Sequence, residues 1–261
     1  MTSRPVAGSR GAQRRERRPG IGYCVPTMLP EPASIVWLFD VDGTLLLTQG
    51  AGRDALVRAL HEVYSIEDDL SSIAFAGRTD VLILGDIAAK HGIAFGHGDR
   101  EHFFMRVAAH MRALMDPPRG GLLPGVPFLL DALDAEPGWV STLLTGNETT
   151  MARIKLEAFG VWDRFAWGTF GEEGADRNVI AQLAVARAGE RHGVPPERCI
   201  VVGDTEHDVA CARAAGARAI AVSTGGRHRD ALEACKPDLL LDDLQDLDTL
   251  WTWTRATYGL S

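Results

Sequence analysis

Five short apolar runs punctuate this chain, and helix-like segments fill most of the intervals between them. The runs are Ile35–Phe39, Val140–Leu144, Cys199–Val202, Ala219–Val222 and Leu239–Leu241. Most are continuously apolar rather than alternating. Such runs suit strands covered on both faces, and that burial marks a parallel sheet. Pro124–Ala135, Glu148–Phe159, Asn178–His192, Asp208–Ala215 and Arg229–Ala234 carry helical patterns between them. Parallel strands need long crossovers, which helices supply. The alternation therefore predicts an α/β fold built on a doubly wound, Rossmann-like parallel sheet.

One interval departs from the alternation. Residues 49–118 hold helical patterns at Arg53–Tyr64, Asp80–His91 and Asp99–Met115, and no strand pattern. The interval is too long for an ordinary crossover. It is expected to be an inserted helical domain, with 31–48 and 119–261 forming the α/β core. Gly50 and Gly52 at one edge, and Pro117, Pro118, Gly120 and Gly121 at the other, read as hinge-like linkers.

The first thirty residues are of another kind. Arg4, Arg10, Arg14, Arg15, Arg17 and Arg18 are interleaved with Gly, Ser and Pro, and no apolar stretch follows as a signal peptide requires. Residues 1–30 are read as a disordered basic tail. The whole chain carries a net charge of −8, which gives no reason to expect a nucleic-acid or anionic-membrane partner. No apolar run is long enough to span a membrane. The cysteines, Cys24, Cys199, Cys211 and Cys235, show no metal-like pairing, and a reduced, cytoplasmic setting fits them better than a disulfide framework.

The chemistry begins where the first apolar run ends. Asp40 and Asp42 follow it, spaced so that both carboxylates project to one side, and Gly43 and Thr44 allow a sharp turn. Two acids at the end of a buried strand are costly unless a cation or proton offsets their charge. The pair suits a nucleophilic carboxylate beside one that moves protons. Thr145, Gly146 and Asn147 close the second run and open a helix, where a hydroxyl and free backbone N–H groups make either an anion site or a plain cap. Asp204 closes the third run, and Asp208 lies one helical turn on. With Asp40 these acids suit a hard divalent cation, Mg²⁺ first. Arg177 starts the preceding helix and supplies a cation for the acids or for a phosphoryl oxygen. Lys155, mid-helix, reads as a solvated face residue, and His207 as a solvated loop histidine.

Taken together, these motifs resemble the haloacid dehalogenase superfamily. The Asp40–Thr44 run, Thr145-Gly146-Asn147, Arg177 and Gly203-Asp204 with Asp208 match its four motifs in order, across roughly residues 34–243. Arg177 stands where many members carry lysine, a planar fork in place of a point charge. The helical insertion is similar to the C1-type cap of the phosphoglycolate phosphatase and phosphoglucomutase branches.

The resemblance implies an Mg²⁺-dependent phosphomonoester hydrolase acting on a small phosphorylated metabolite, phosphoglycolate-like, through an aspartyl-phosphate. Asp40 would be the nucleophile and Asp42 the proton donor and acceptor. Asp40, the Asp42 carbonyl and Asp204 would hold the metal, with Asp208 close by. Thr145, Gly146, Asn147 and Arg177 would bind the phosphate. Asp42 also disfavours the dehalogenase and phosphonate-cleaving branches. In the insertion, Arg53, Arg78 and Thr79 are candidates for substrate selection, against a reading as surface ion pairing and helix capping. Two alternatives stay open: a sugar phosphomutase, and a catalytically silent binding protein on the same fold. Thr224-Gly225-Gly226 lacks the spacing of a phosphate-binding loop, and Trp251 and Trp253 read as the packing of a terminal helix. Monomer and homodimer are equally compatible with the sequence.

Overall fold

The computed structural model describes residues 34–96, 98–174 and 176–260. The basic segment 1–30, with Cys24, lies outside the described residues. In chain order the elements are β1 (Ile35–Phe39), β2 (Leu46–Leu47), α1 (Ala51–Tyr64), α2 (Asp80–His91), α3 (Asp99–Leu114), β3 (Gly121–Leu122), α4 (Val126–Ala135) and β4 (Trp139–Leu144). They continue as α5 (Thr149–Ala158), β5 (Gly168–Thr169), α6 (Arg177–His192), β6 (Cys199–Gly203), α7 (Glu206–Ala214), β7 (Arg218–Val222), α8 (Arg229–Ala234), β8 (Leu239–Leu241) and α9 (Leu247–Tyr258).

Six strands form one sheet in the order β5-β4-β1-β6-β7-β8, and every pairing in it is parallel. The five expected strands fall where the apolar runs are, to within one residue at either end. The sheet has two covered faces. Ile35, Trp37 and Phe39 of β1 pack with Leu129 and Leu133 of α4 and with Leu156 of α5. Val36 and Leu38 point the other way, into a core with Ile180, Ala184 and Ala188 of α6 and Val209 of α7. Burial on both faces is why these strands read as unbroken apolar runs.

The helices α1, α2 and α3 lie between β2 and β3 and share a third core, with Leu60, Ile87, Phe103 and Met111 at its centre. Met151 and Ile154 of α5 also belong to it. The chain entering and leaving the insertion meets in an element the sequence did not suggest. β2 and β3 form a short antiparallel ribbon, Leu46 opposite Leu122 and Leu47 opposite Gly121. Gly120 is needed beside it: its φ is 87°, and the Leu47 carbonyl occupies the space a side chain would take. Among the described residues, no helix is long and apolar enough to cross a membrane.

Candidate active site

Strand register brings the motifs together. Phe39 of β1 is level with Leu143 of β4 on one side and Val202 of β6 on the other. Asp40, Thr145 and Asp204 therefore leave three adjacent strands at one edge of the sheet. In open α/β sheets that edge, beside the strand where chain order reverses, is where ligands bind. The Asp40 N–H still donates to the Val202 carbonyl at 3.0 Å, so the nucleophile candidate is anchored by the sheet. The chain then turns: the N–H groups of Leu45 and Leu46 donate to the Val41 carbonyl. Gly43 has a φ of 83° and lies directly against the Asp204 carboxylate, with no room for a Cβ.

Asp40, Asp204 and Asp208 each bring a carboxylate oxygen within 4.8 Å of the others, and all three are buried. Arg177 opens α6 from the N-cap Asp176 and reaches into this cluster. Its Nη2 lies 2.9 Å from Asp40 Oδ1 and also bonds Asp208 Oδ1. The second oxygen of Asp208 accepts from Thr205 N at 2.9 Å and Thr205 Oγ1 at 2.6 Å. Asp208 is thereby committed to holding Arg177 and the start of α7. Asp204 keeps more freedom, with a single hydrogen bond from Thr44 Oγ1 at 3.3 Å.

Crowding acids away from water raises their proton affinity. Burial pushes Asp40 up to about 6 against the opposing pull of Arg177, with Asp208 adding to the rise. Asp204 is pushed up to about 8, by burial first and then by repulsion from Asp40 and Asp208. Burial disfavours the charge on Arg177, but Asp208 and Asp40 outweigh it and hold the guanidinium ionised. Fully ionised, three carboxylates against one guanidinium leave two negative charges in excess. A divalent cation with oxygen ligands fits both that excess and the spacing. Gly225 presses on Asp204 from the far side, and the neighbouring Thr224 Oγ1 donates to the Gly43 carbonyl at 2.5 Å. The Thr224-Gly225-Gly226 turn thus walls the acid cluster.

Asp42 stands apart from the cluster, its side chain 43% exposed. Its Oδ2 accepts from Asn147 Nδ2 at 2.8 Å and from Lys155 Nζ at 2.6 Å. Lys155 also donates to Asn147 Oδ1 at 2.6 Å. The solvated reading of Lys155 is therefore wrong: the residue is only 5% exposed. The signal lay in its phase. Met151 and Ala152, four and three positions earlier, are both buried, so Lys155 shares their face of α5. A lysine in phase with buried positions has to find a partner inside.

At the start of α5, where the sequence left an anion site or a plain cap open, the N–H groups are capped. Its N-cap is Glu148, whose carboxylate accepts from Thr150 N at 2.9 Å and Met151 N at 3.3 Å. Glu172 takes Thr149 N. Three acceptors already serve this helix end, since Asp80 accepts from Glu148 N at 2.8 Å. Thr145 is fully buried, and its Oγ1 accepts from Asn147 Nδ2 at 2.8 Å. Gly146 is close-packed against the Arg78 carbonyl, which explains the glycine without a ligand.

A chamber of about 440 Å³ opens above these groups, bounded on its far side by residues from α1, α2 and α3. Arg53, Arg78, Asp42, Lys155 and Arg177 all line it. Arg78 pairs with Asp86 on α2, and Thr79 caps α2 by accepting from Leu82 N at 3.2 Å. These two do what surface pairing and capping require. The Arg53 guanidinium lies over the Phe75 ring, 4.9 Å from its centre.

The family model for haloacid dehalogenase-like hydrolases matches residues 37–213, and a HAD-hydrolase-like model matches 181–247. A phosphoglycolate phosphatase of Xylella fastidiosa is 30% identical over 226 residues, covering 82% of this chain and 93% of its own. Among solved structures, a predicted phosphoglycolate phosphatase from Haemophilus somnus superposes with a TM-score of 0.66 at 19% identity, over 84% of this chain and 98% of that one. A β-phosphoglucomutase from Clostridium difficile does so at 0.64 and 17%, over 87% and 97%.

Proposed function

The chain belongs to the haloacid dehalogenase-like hydrolase family as a phosphoglycolate phosphatase-like enzyme, and from that premise we propose that it hydrolyses a small phosphomonoester with Mg²⁺ through an aspartyl-phosphate. The observation that carries the reading is Asp40 itself. It is a buried carboxylate fixed at a strand end, paired with Arg177 at 2.9 Å, and facing a chamber that also exposes Asp42.

In this reading an Asp40 oxygen attacks phosphorus, and the bond from phosphorus to the ester oxygen breaks. Asp42 gives a proton to the departing oxygen. Asp42 then takes a proton from water as that water attacks the aspartyl-phosphate, releasing phosphate and restoring Asp40. Arg177 and the Thr145 hydroxyl hold non-transferred oxygens, and Asn147 with Lys155 orients Asp42. Asp40, the Asp42 carbonyl and Asp204 would hold Mg²⁺, with Asp208 steadying Arg177. When bound, Mg²⁺ offsets the repulsion between carboxylates and phosphate and stabilises charge on the transferring group. Residues 49–118 act as the cap that selects substrates, and the free thiols of Cys199, Cys211 and Cys235 suit a cytoplasmic setting.

The test is release of phosphate from an aryl phosphate, with and without Mg²⁺. Acid-quenched enzyme should carry phosphate on Asp40, and Asp40→Asn should carry none. Phosphate release at an undiminished rate from Asp40→Asn would exclude the mechanism. A sugar phosphomutase would instead isomerise its substrate with little free phosphate.

A further inference from the structure

The chamber above Asp40 is larger and more apolar than phosphoglycolate needs. Six apolar side chains line it: Leu56, Phe75, Ile83, Phe104, Val107 and Met151. They come from α1, the loop before α2, α2, α3 and α5, so the whole helical insertion and one core helix contribute.

Three of the polar groups on that side already have partners. Arg78 is paired with Asp86, Asp80 accepts from Glu148 N, and Lys155 is shared between Asp42 and Asn147. A polyhydroxylated leaving group would give up its hydrogen bonds to water there and regain few, which weakens binding for each group left unsatisfied. Arg53 has no ion-pair partner among the described residues. Its guanidinium lies over the Phe75 ring, and a guanidinium plane packs readily against rings.

Size argues the same way. Phosphoglycolate has about nine non-hydrogen atoms; even at ~30 Å³ each, the share of a water molecule in the liquid, they fill under ~300 Å³. The chamber holds about 440 Å³. An apolar body that fills the remainder would displace water from hydrocarbon walls.

We infer that the preferred substrate is a phosphomonoester whose alcohol carries an apolar, ring-sized body seated against Phe75, Phe104 and Ile83. This rests on the phosphatase reading. The bond broken is the phosphorus–oxygen ester bond, water supplies the oxygen that leaves as phosphate, and the body departs as its alcohol with the proton from Asp42.

The experiment measures kcat/KM of the purified full chain with Mg²⁺ on ethyl, butyl and 2-phenylethyl phosphate and on phosphoglycolate. Each buried methylene is expected to raise kcat/KM about fourfold. The 2-phenylethyl ester should therefore exceed the ethyl ester by more than about tenfold, with phosphoglycolate among the slowest. Phe104→Ala and Ile83→Ala should each cut the ratio of phenylethyl to ethyl at least threefold. That ratio does not depend on how much of a variant is folded. A flat series, or phosphoglycolate as the best substrate, overturns the inference while leaving the phosphatase reading in place. Release from none of the esters removes both.

Discussion

Asp80 tests the physical reasoning most directly, because it is half-buried where α2 meets the start of α5 but is not one of the clustered acids. Its N–H donates to the Gly146 carbonyl at 2.8 Å, and its Oδ2 accepts from Glu148 N at 2.8 Å. Burial raises the carboxyl from 3.8 to about 6, more than nearby Lys155 and the Glu148 hydrogen bond lower it. The folded protein therefore binds this proton more tightly than the unfolded chain does. The resulting stabilisation is complete below pH 3.8 and is lost as pH rises through about 6. The full shift corresponds to about 3 kcal/mol. The group keeps some solvent contact, so screening reduces the expected loss to about 1–2 kcal/mol. Asp80→Asn retains an acceptor for Glu148 N and removes the ionisation. Urea unfolding of both proteins at pH 4 and pH 7.5, with chelator present, isolates this group, because titrations that do not interact with it cancel in the difference. The variant should gain about 1–2 kcal/mol on wild type between the two pH values. A difference independent of pH would refute the argument, and so would wild type gaining on the variant as pH rises, which would show that ionised Asp80 is net favourable beside Lys155.

Three further outcomes are expected. Asp40→Asn should lower phosphate release by a factor on the order of 10⁴ or more, with far-UV circular dichroism retained; a smaller loss would move the nucleophile elsewhere. Lys155→Met removes two short bonds, to Asp42 and Asn147, and should lower kcat about 10–100-fold; an unchanged kcat would reduce the contact to packing. Asp204, pushed up to about 8, holds its proton at pH 7 in the metal-free protein, so Mg²⁺ must displace it. Apparent Mg²⁺ affinity should then rise about tenfold from pH 6.5 to 7.5 and level off above 8, as read by calorimetry in buffers of different ionisation enthalpy; affinity flat over that range would contradict the shift.

The sheet was legible because burial on both faces leaves an unmistakable apolar run, and Ile35–Phe39 and Leu239–Leu241 have the same ends in the sequence reading and the structure. The acids were legible because each follows such a run, where strand register must gather them. Two-residue strands were not: Leu46–Leu47 and Gly121–Leu122 are too short for any periodicity, and their pairing depends on where the insertion begins and ends. Lys155 was misread because lysine is ordinarily a surface residue, and its long stem hides which face of the helix it is on. The Thr145-Gly146-Asn147 motif was located correctly, but its local chemistry was open. A threonine, an asparagine and an acid before a helix look alike as caps or as an anion cradle, and only the partners of Glu148 and Glu172 distinguish them.

Those partners also explain why α5 matters more than its ten residues suggest. Ala152 and Leu156 pack it into the sheet core, while Met151 and Ile154 pack it into the core of α1, α2 and α3. Lys155 lies between the two faces and ends on Asp42, beyond the rigid acid cluster. The nucleophile candidate is thus held by its strand hydrogen bond to Val202 and by Arg177 of α6, without α5. The acid/base candidate is held by a helix that has one side in each core. A substrate that fills the chamber touches Met151 on that same helix. Packing in the chamber and the position of Asp42 therefore share a structural element, whereas Asp40 and Asp204 do not depend on it. Core substitutions at Met151 should accordingly alter turnover of bulky esters before they alter metal binding.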